Sequence, residues 1–350
     1  MVFKKKQNDR KLTSFCSIFK APLFVAGLAM FNSDVPNGKI TVRNLPAEVL
    51  RALNVLADHR DRSLEAEARQ ALRAWVSPQL ESEIRTTRAA AIGQRLRYLQ
   101  EEIDRARLGK SASPSRLAEA LGWQYAENVE LWFAGELEPS FEELSQIANL
   151  FGCTREWLLH GEGTPYSSQY QRIPEDAFAG ADFLLAPSET GVKPKLYLLR
   201  SKSKSGEFAY VRSYSDWHAH TYSTPYHISD SIGAGGESSL AALSVIFENL
   251  YRRWTRGDAT ETSIQAFLVD DEDFSSILTG KRHPIGIIRH QEKSCWWEDF
   301  WDEDQFTKQN YWPGWGSIAA RIAKVVEGRP SLKGQRERLR GNPQSVADEI

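Results

Sequence analysis

Residues 39–45 read Lys-Ile-Thr-Val-Arg-Asn-Leu, and this stretch decides how the front of the chain folds. Polar and apolar side chains alternate along it, which is the pattern of a β-strand with two different faces. In such a strand Ile40 and Val42 lie on one face. The other face carries the polar residues Lys39, Thr41 and Arg43. The apolar face belongs to a core, and the polar face is free to contact a partner.

Two short helices are predicted after this strand. Pro46 suits the first position of a helix, and apolar residues recur at helical spacing until about His59. These residues are Val49, Leu50, Leu53 and Leu56. The run Arg60-Asp61-Arg62 breaks the pattern, Ser63 is a candidate N-cap for a second helix, and Pro78 is predicted to end it.

One strand and two short helices cannot bury their own apolar faces. The physical solution is a homodimer in which two chains pair their strands into an antiparallel ribbon. A two-stranded ribbon fits the major groove of DNA, where Arg43 is a natural bidentate partner of guanine and Asn44 lies beside it. The backbone amides at Ser63 and Leu64, at the start of the second helix, can hold a phosphate.

The strand Ile40-Thr41-Val42-Arg43-Asn44-Leu45 and the run Arg62-Ser63-Leu64-Glu65-Ala66-Glu67-Ala68-Arg69 resemble the Arc/MetJ superfamily of ribbon-helix-helix proteins. Within it, the FitA-type antitoxins are the most similar. The resemblance covers residues 38–78 and implies that Arg43 is the main base reader, flanked by Lys39 and Thr41, with Ser63 anchoring the DNA backbone. The alternative is an edge strand and helical hairpin of a larger domain.

The chain has 350 residues, enough for two or three domains, and its formal net charge of -2 is unevenly distributed. Residues 1–37 carry six basic and two acidic side chains, and residues 38–78 carry seven and five. The basic front suits a nucleic-acid partner. The three cysteines are far apart, which argues against disulfides and zinc and favours a reducing, cytoplasmic compartment.

Residues 1–37 form a leader with three alternative interpretations. Lysines near the start and an apolar stretch from Phe15 to Phe31 imitate a secretory signal, although Lys20 and Pro22 interrupt it. The second alternative is a disordered basic arm. In the third, translation begins at Met30, just before the predicted strand.

A second module is predicted over residues 88–165. A helical stripe of Ile92, Leu96, Leu99 and Ile103 is followed by short helices around 115–123, 124–134, 141–151 and 155–159. The module resembles the lambda-repressor-like (Xre or Cro/C1) helix-turn-helix family, which implies that Gln124, Tyr125, Glu127 and Asn128 face the groove. It carries eight basic and twelve acidic side chains, however, and this charge disfavours phosphate contact. DNA contact and a structural or protein-binding role both stay open.

Residues 166–328 are predicted to form a mixed α+β domain. Strand-like runs lie at 195–200 and 208–214, and helical runs lie at 238–254 and 317–326. We recognise no family here and expect an effector or a protein partner. The tail over 329–350 is polar and partly basic, and is predicted to be disordered.

Three patterns in this domain each have two readings. His218, His220 and His227 with Asp216 suggest a metal cluster, but their aromatic neighbours favour a half-exposed strand. Gly233–Gly236 could cradle a phosphate, but a plain loop with a serine N-cap fits better because no P-loop lysine is present. A run of tryptophans among acidic residues suggests a partner or effector pocket, while core packing is the favoured reading. These are Trp296, Trp297, Trp301, Trp312 and Trp315.

The sequence therefore predicts a multidomain α+β protein with a ribbon-helix-helix, a central all-α helix-turn-helix bundle and a C-terminal mixed α+β domain. The predicted function is that of a repressor that reads a palindromic operator. The main alternative is an antitoxin that neutralises a toxin and regulates its own operon. An enzyme is the third class, disfavoured because no nucleophile and base stand out, and we expect no cofactor, no metal and no membrane partner.

Overall fold

The computed structural model describes residues 40–106, 111–256 and 263–341. The predicted leader over residues 1–37, Lys39 and the end of the predicted tail from residue 342 lie outside the described residues. The chain divides into two compact units, the first ending at Trp75 and the second beginning at Val76. Among the described helices, none is both long enough and apolar enough to cross a membrane.

The first unit contains helix α1 (Ala47–His59) and the beginning of α2 (Leu64–Ala106). Residues 40–45 are assigned to no strand in this single chain, because a strand needs a hydrogen-bonded neighbour. The turn between the helices is closed by the Arg62 amide, which donates to the Ala57 carbonyl at 2.9 Å. Asp61 has φ 47° in this turn, in the left-handed region that Asp tolerates better than most residues.

The prediction that Pro78 ends the second helix is wrong, because α2 continues to Ala106. A proline inside a helix costs about 3 kcal/mol, since it removes one backbone hydrogen bond and crowds the preceding turn. The residues after Pro78 are mostly good helix formers, and the predicted stripe of Ile92, Leu96, Leu99 and Ile103 is fully buried on α2. The burial of this stripe outweighs the local cost of the proline.

A helical bundle follows in the second unit. Beside α2 it contains α3 (Pro114–Ala120), α4 (Glu127–Ala134), α5 (Phe141–Phe151) and α6 (Arg155–His160). A capping box starts α5, where the Ser140 hydroxyl accepts the Glu143 amide at 3.2 Å and the Glu143 carboxylate accepts the Ser140 amide at 2.7 Å. Gly135 ends α4 with φ 79°, and an added Cβ would lie 2.8 Å from the Ala90 Cα. This glycine therefore allows α4 to approach α2 closely.

The rest of the second unit is built on a six-stranded mixed sheet in the order β1-β4-β3-β2-β5-β6. The strands are β1 (Ser168–Tyr170), β2 (Lys195–Ser201), β3 (Glu207–Ser213), β4 (Ala219–His227), β5 (Ile264–Val269) and β6 (Glu292–Ser294). The pairs β1–β4 and β2–β5 are parallel, and the others are antiparallel. The predicted strands at 195–200 and 208–214 are confirmed as β2 and β3.

Helices cover both faces of this sheet. They are α7 (Ala177–Leu184), α8 (Ala234–Arg256), α9 (Asp271–Leu278), α10 (Pro284–Ile288), α11 (Trp296–Asp299), α12 (Trp315–Gly328) and α13 (Pro330–Arg340). Leu198 packs into a large core with α8 and α12, while Leu199 packs into a smaller core with α9 and α10. A strand that is buried on both faces explains the continuous apolar run of β2.

The bundle is attached to the sheet through the end of α2. The Tyr98 hydroxyl donates to the Lys281 carbonyl at 2.6 Å, and the His283 amide donates to the buried Glu102 carboxylate at 2.9 Å. Trp217, just before β4, stacks on Phe151 of α5 with ring centroids 5.7 Å apart. These contacts explain why the bundle and the sheet form one compact unit.

The prediction of a disordered tail from residue 329 is wrong for residues 330–340, which form α13. Leu332 and Leu339 lie seven residues apart on one helix face and are both buried. Arg336 is buried as well, and its Nε donates to the Glu248 carboxylate of α8 at 3.1 Å. A prediction from composition misses this helix, because only a few buried apolar side chains and the buried ion pair between Arg336 and Glu248 hold it in place.

Candidate nucleic-acid interface

The side chains of residues 40–45 are all exposed in the single chain. Ile40 is 76% exposed and Val42 is 59% exposed, although both belong to the predicted apolar face. Thr41 and Arg43, the predicted readers, are exposed as well. Asn44 has φ 61° and ends the extended stretch, a conformation that asparagine adopts readily. Lys39, the remaining candidate of the ribbon, lies outside the described residues.

The start of α2 is organised as an N-terminal cap. The Ser63 hydroxyl accepts the Ala66 amide at 3.2 Å, which confirms Ser63 as the N-cap. This bond leaves the earlier amides, including that of Leu64, at the positive end of the helix, where a phosphate is favoured.

Glu67 is a residue of this turn whose role the sequence did not reveal. Its side chain is only 3% exposed, and its Oε1 lies 2.6 Å from Arg60 Nη1. Its Oε2 lies 3.8 Å from Arg62 Nη1. The carboxylate thus keeps two arginines beside the first turn of α2. In the sequence, the arginines on either side of Asp61 and the glutamate four residues after Ser63 could have indicated this ion pair.

Large apolar side chains remain exposed throughout residues 40–75, the part of the first unit that the structure describes. They are Ile40, Val42, Leu45, Val49, Leu50, Val55, Leu56, Leu72 and Trp75. By contrast, the described part of this unit buries only Ala57 and Glu67. Exposed apolar side chains in this number are typical of a surface that binds a partner.

The candidate readers of the bundle lie around the beginning of α4. The predicted start of this helix at Gln124 is wrong, because α4 starts at Glu127 and Gln124 and Tyr125 belong to the turn before it. Tyr125 is 73% exposed, and Gln124 and Asn128 are exposed too. Glu127 and Glu130 stand in the same first turn, so the surface carries carboxylates where a phosphate would approach.

The histidines of the C-terminal domain separate into a pair and a single residue. His218 Nε2 and His220 Nε2 lie 2.7 Å apart on the same face of the chain. Burial lowers the pKa of both histidines, and that of His220 to about 4 with smaller contributions from His218 and Arg212. The short contact is a hydrogen bond in which one ring nitrogen donates and the other accepts. In the part of the chain that the structure describes, no three His, Cys, Asp or Glu residues are grouped to hold a metal.

The glycine run lies in a helix and not in a loop. Helix α8 starts at Ala234, so Gly235 and Gly236 form its first turn, and the expected serine N-cap is wrong. Ser239 lies inside the helix and donates to Glu175 at 3.3 Å. The Glu237 carboxylate in the first turn is paired with Arg321, whose Nη1 also donates to the Asp230 carbonyl at 2.6 Å.

The tryptophans pack mainly in the core. Trp296, Trp297 and Trp315 are fully buried, Trp312 is 7% exposed and Trp301 is half-buried. Phe247 of α8 contacts this cluster edge to face, with its ring centroid 5.7 Å from that of Trp296. Core packing, the favoured reading of this pattern, describes the observed arrangement.

Residues 39–76 match the model of a protein family described as Antitoxin FitA-like, ribbon-helix-helix. No curated protein and no solved structure matches the chain. The matched residues coincide with the predicted ribbon-helix-helix at 38–78 and with the exposed apolar surface of the first unit. The match supports an antitoxin-like, DNA-binding regulator as the class of protein.

Proposed function

We propose that this protein is a sequence-specific transcriptional repressor that binds a palindromic operator as a homodimer. In the proposal, residues 39–45 of two copies pair into an antiparallel ribbon. Ile40 and Val42 of both chains then face the shared core, and Lys39, Thr41 and Arg43 face base edges in the major groove. The observation that supports this proposal is that apolar and polar side chains alternate in residues 40–43 and that all four are exposed in the single chain.

The phosphate contacts of the proposed complex come from the start of α2. The amides near Ser63 and Leu64 lie at the positive end of a long helix. Asn44 ends the ribbon and the capped turn at Ser63 follows α1, so the proposed base and phosphate contacts arise from one short segment of the chain. Contacts to phosphate set the position on DNA, and contacts to bases set the sequence.

Selection of bound duplexes from a random DNA library tests the proposal, with wild type and Arg43→Ala run in parallel. We expect an enriched palindrome for the wild type and a loss of discrimination in the variant, about 1 to 3 kcal/mol for each bidentate contact removed. Arg51→Ala is the matched control, because Arg51 is an exposed arginine on α1 of the same unit. Enrichment of the same palindrome by the Arg43 variant would contradict the assignment of the reader.

The bundle adds a second surface with two alternative roles. In the first, Gln124, Tyr125 and Asn128 extend the DNA contact. In the second, the acidic surface around Glu127 binds a protein. The double variant Gln124→Ala and Asn128→Ala in the same selection distinguishes them, because a DNA role predicts a shorter enriched site and a protein role predicts an unchanged one.

The second candidate function is that of an antitoxin, which the description of the matched family favours. An antitoxin would bind a toxin and repress its own operon. Isolation of the native complex with a stoichiometric small protein, whose activity this chain inhibits, would support it. A chromosomal neighbourhood without any toxin gene would count against it.

The proposal places the protein in the cytoplasm, with DNA as its target, and contains no catalytic step and no cofactor. Metal analysis of the purified protein tests the last point. Stoichiometric zinc would contradict it and would revive an enzymatic reading of the histidines.

A further inference from the structure

A cavity of about 490 Å³ opens at one edge of the sheet in the second unit. It lies where the parallel strands β2 and β5 end, between the turn that follows Ser201 and the helix α9. Seven serine and threonine side chains line it, together with the carboxylates of Glu207 and Asp271. Its volume lies within the range of small-molecule sites.

Hydroxyl groups orient both carboxylates. The Ser201 hydroxyl donates to Asp271 Oδ1 at 2.7 Å, and the Ser203 hydroxyl donates to Glu207 Oε2 at 3.2 Å. Ser205 is hydrogen-bonded to Ser203 at 2.8 Å. Each carboxylate keeps further lone pairs for a ligand, because an ionised carboxylate accepts up to about four hydrogen bonds.

The nearby cations are held by other groups. Arg200 is buried behind the wall, where its Nε donates to the Ile228 carbonyl at 2.9 Å and its guanidinium carbon lies 3.8 Å from the Trp312 ring centroid. Lys202 pairs with Asp270 at 3.2 Å. Among the described residues that line the cavity, none is basic. The carboxylates of Glu207 and Asp271 therefore face the cavity, whereas the guanidinium of Arg200 is bonded to other groups and does not line it.

The cavity also has an apolar part. Phe208, Phe274 and Leu278 lie on its wall beside the hydroxyls. An apolar wall with a few convergent polar groups is typical of a site for a small organic molecule, in which the polar groups fix the orientation of the ligand.

We propose that this cavity binds a small organic cation, an ammonium group on a short aliphatic chain. The ammonium donates to Asp271, to Glu207 and to the serine hydroxyls, and the aliphatic chain packs on Phe274 and Leu278. An anion is disfavoured because the two carboxylates repel it. The test of this site does not depend on the proposed DNA contacts, since ligand binding is measured without DNA.

Isothermal titration calorimetry on the full chain tests the site with four probes of equal chain length: 1,4-diaminobutane, n-butylamine, 1,4-butanediol and butyrate. We expect the two amines to bind and the diol and butyrate not to bind. Asp271→Asn and Glu207→Gln should each lower amine affinity by about tenfold. Glu272→Gln, an exposed carboxylate on α9 outside the cavity, is the control and should leave the affinity unchanged.

Three results with the wild-type chain overturn the inference. They are binding of butyrate, equal binding of amine and diol, and absence of binding by any probe. A loss of amine binding in the Glu272 control equal to that in the Asp271 variant also overturns it. Thermal unfolding of each variant shows whether it is folded, and Glu207→Gln decides the result if Asp271→Asn unfolds.

Discussion

The two units of this chain differ in where their apolar side chains lie. The second unit buries three core clusters, two around the sheet and one in the bundle. The first unit exposes nine large apolar side chains within residues 40–75, whereas the described residues of the far longer second unit expose six. The second unit therefore covers its own apolar side chains within one chain, and in the proposed homodimer a second copy would cover those of the first unit.

The largest effect is expected when this second copy is prevented from binding. Val42→Glu places a charge in the shared face of the ribbon, so we expect the dimer to dissociate and specific DNA binding to be lost. Light scattering coupled to size-exclusion chromatography measures the mass. Val192→Glu is the control, because Val192 is an exposed valine of the second unit (46% exposed). A wild type that is monomeric at every concentration would refute the comparison.

Truncation of a large core side chain in the second unit should lower stability and leave the proposed dimer intact. Phe247 is fully buried and contacts Phe208, Trp296 and Phe300. We expect Phe247→Ala to lower the free energy of unfolding of this unit by about 3–5 kcal/mol, while the dimer persists. Urea unfolding followed by tryptophan fluorescence measures the loss. The exposed Phe141 gives the matched variant Phe141→Ala, which should cost less than about 1 kcal/mol.

A smaller effect is expected at the ion pairs that hold α13. Burial raises the pKa of Glu248, but hydrogen bonds from Arg340 and Arg252 and the charge of Arg336 outweigh it and hold the pKa below its usual range. We expect Glu248→Gln to destabilise the second unit by about 2 kcal/mol, because three arginines lose their shared carboxylate. The same urea unfolding experiment measures it.

Glu292→Gln serves as the control for Glu248, since Glu292 is exposed and pairs with Lys202 at 3.6 Å. A surface pair contributes less than about 1 kcal/mol. Equal destabilisation by both variants would show that the buried site has no special role in fixing α13.

The smallest effect is a pH dependence of the second unit. Burial lowers the pKa of His283 to about 4 and that of His220 to about 4. The unfolded chain therefore binds protons from about pH 6.5 downward while the folded chain does not. Stability from these groups is complete above pH 6.5 and decreases as the pH falls towards 4. We expect His220→Gln to reduce the loss between pH 7.5 and 5 by on the order of 1 kcal/mol.

Urea unfolding at the two pH values measures this effect. The exposed His290 supplies the control variant His290→Gln, which should keep the wild-type pH dependence. An unchanged pH dependence in His220→Gln would show that the histidine pair does not contribute to acid destabilisation.

Local sequence patterns were sufficient to predict features that depend only on residues close together in the chain. The cap at Ser63 and the stripe from Ile92 to Ile103 predicted a helix start and a buried helix face, because spacing alone determines which side chains share a face. The strand predicted from the period of two in residues 39–45 stays a prediction. The same patterns identified the ribbon-helix-helix that the family model matches.

Tertiary structure decided the features that depend on distant partners. Pro78 lies inside a helix because the burial of the apolar stripe of α2 outweighs the local cost of the proline. Helix α13 is held in place because Arg336 pairs with Glu248, 88 residues earlier in the chain. The cavity between Ser201 and Asp271 likewise joins residues 70 positions apart. Spacing along the chain carries no information about such pairs, because their contact energy exists only after the sheet and its helices have packed.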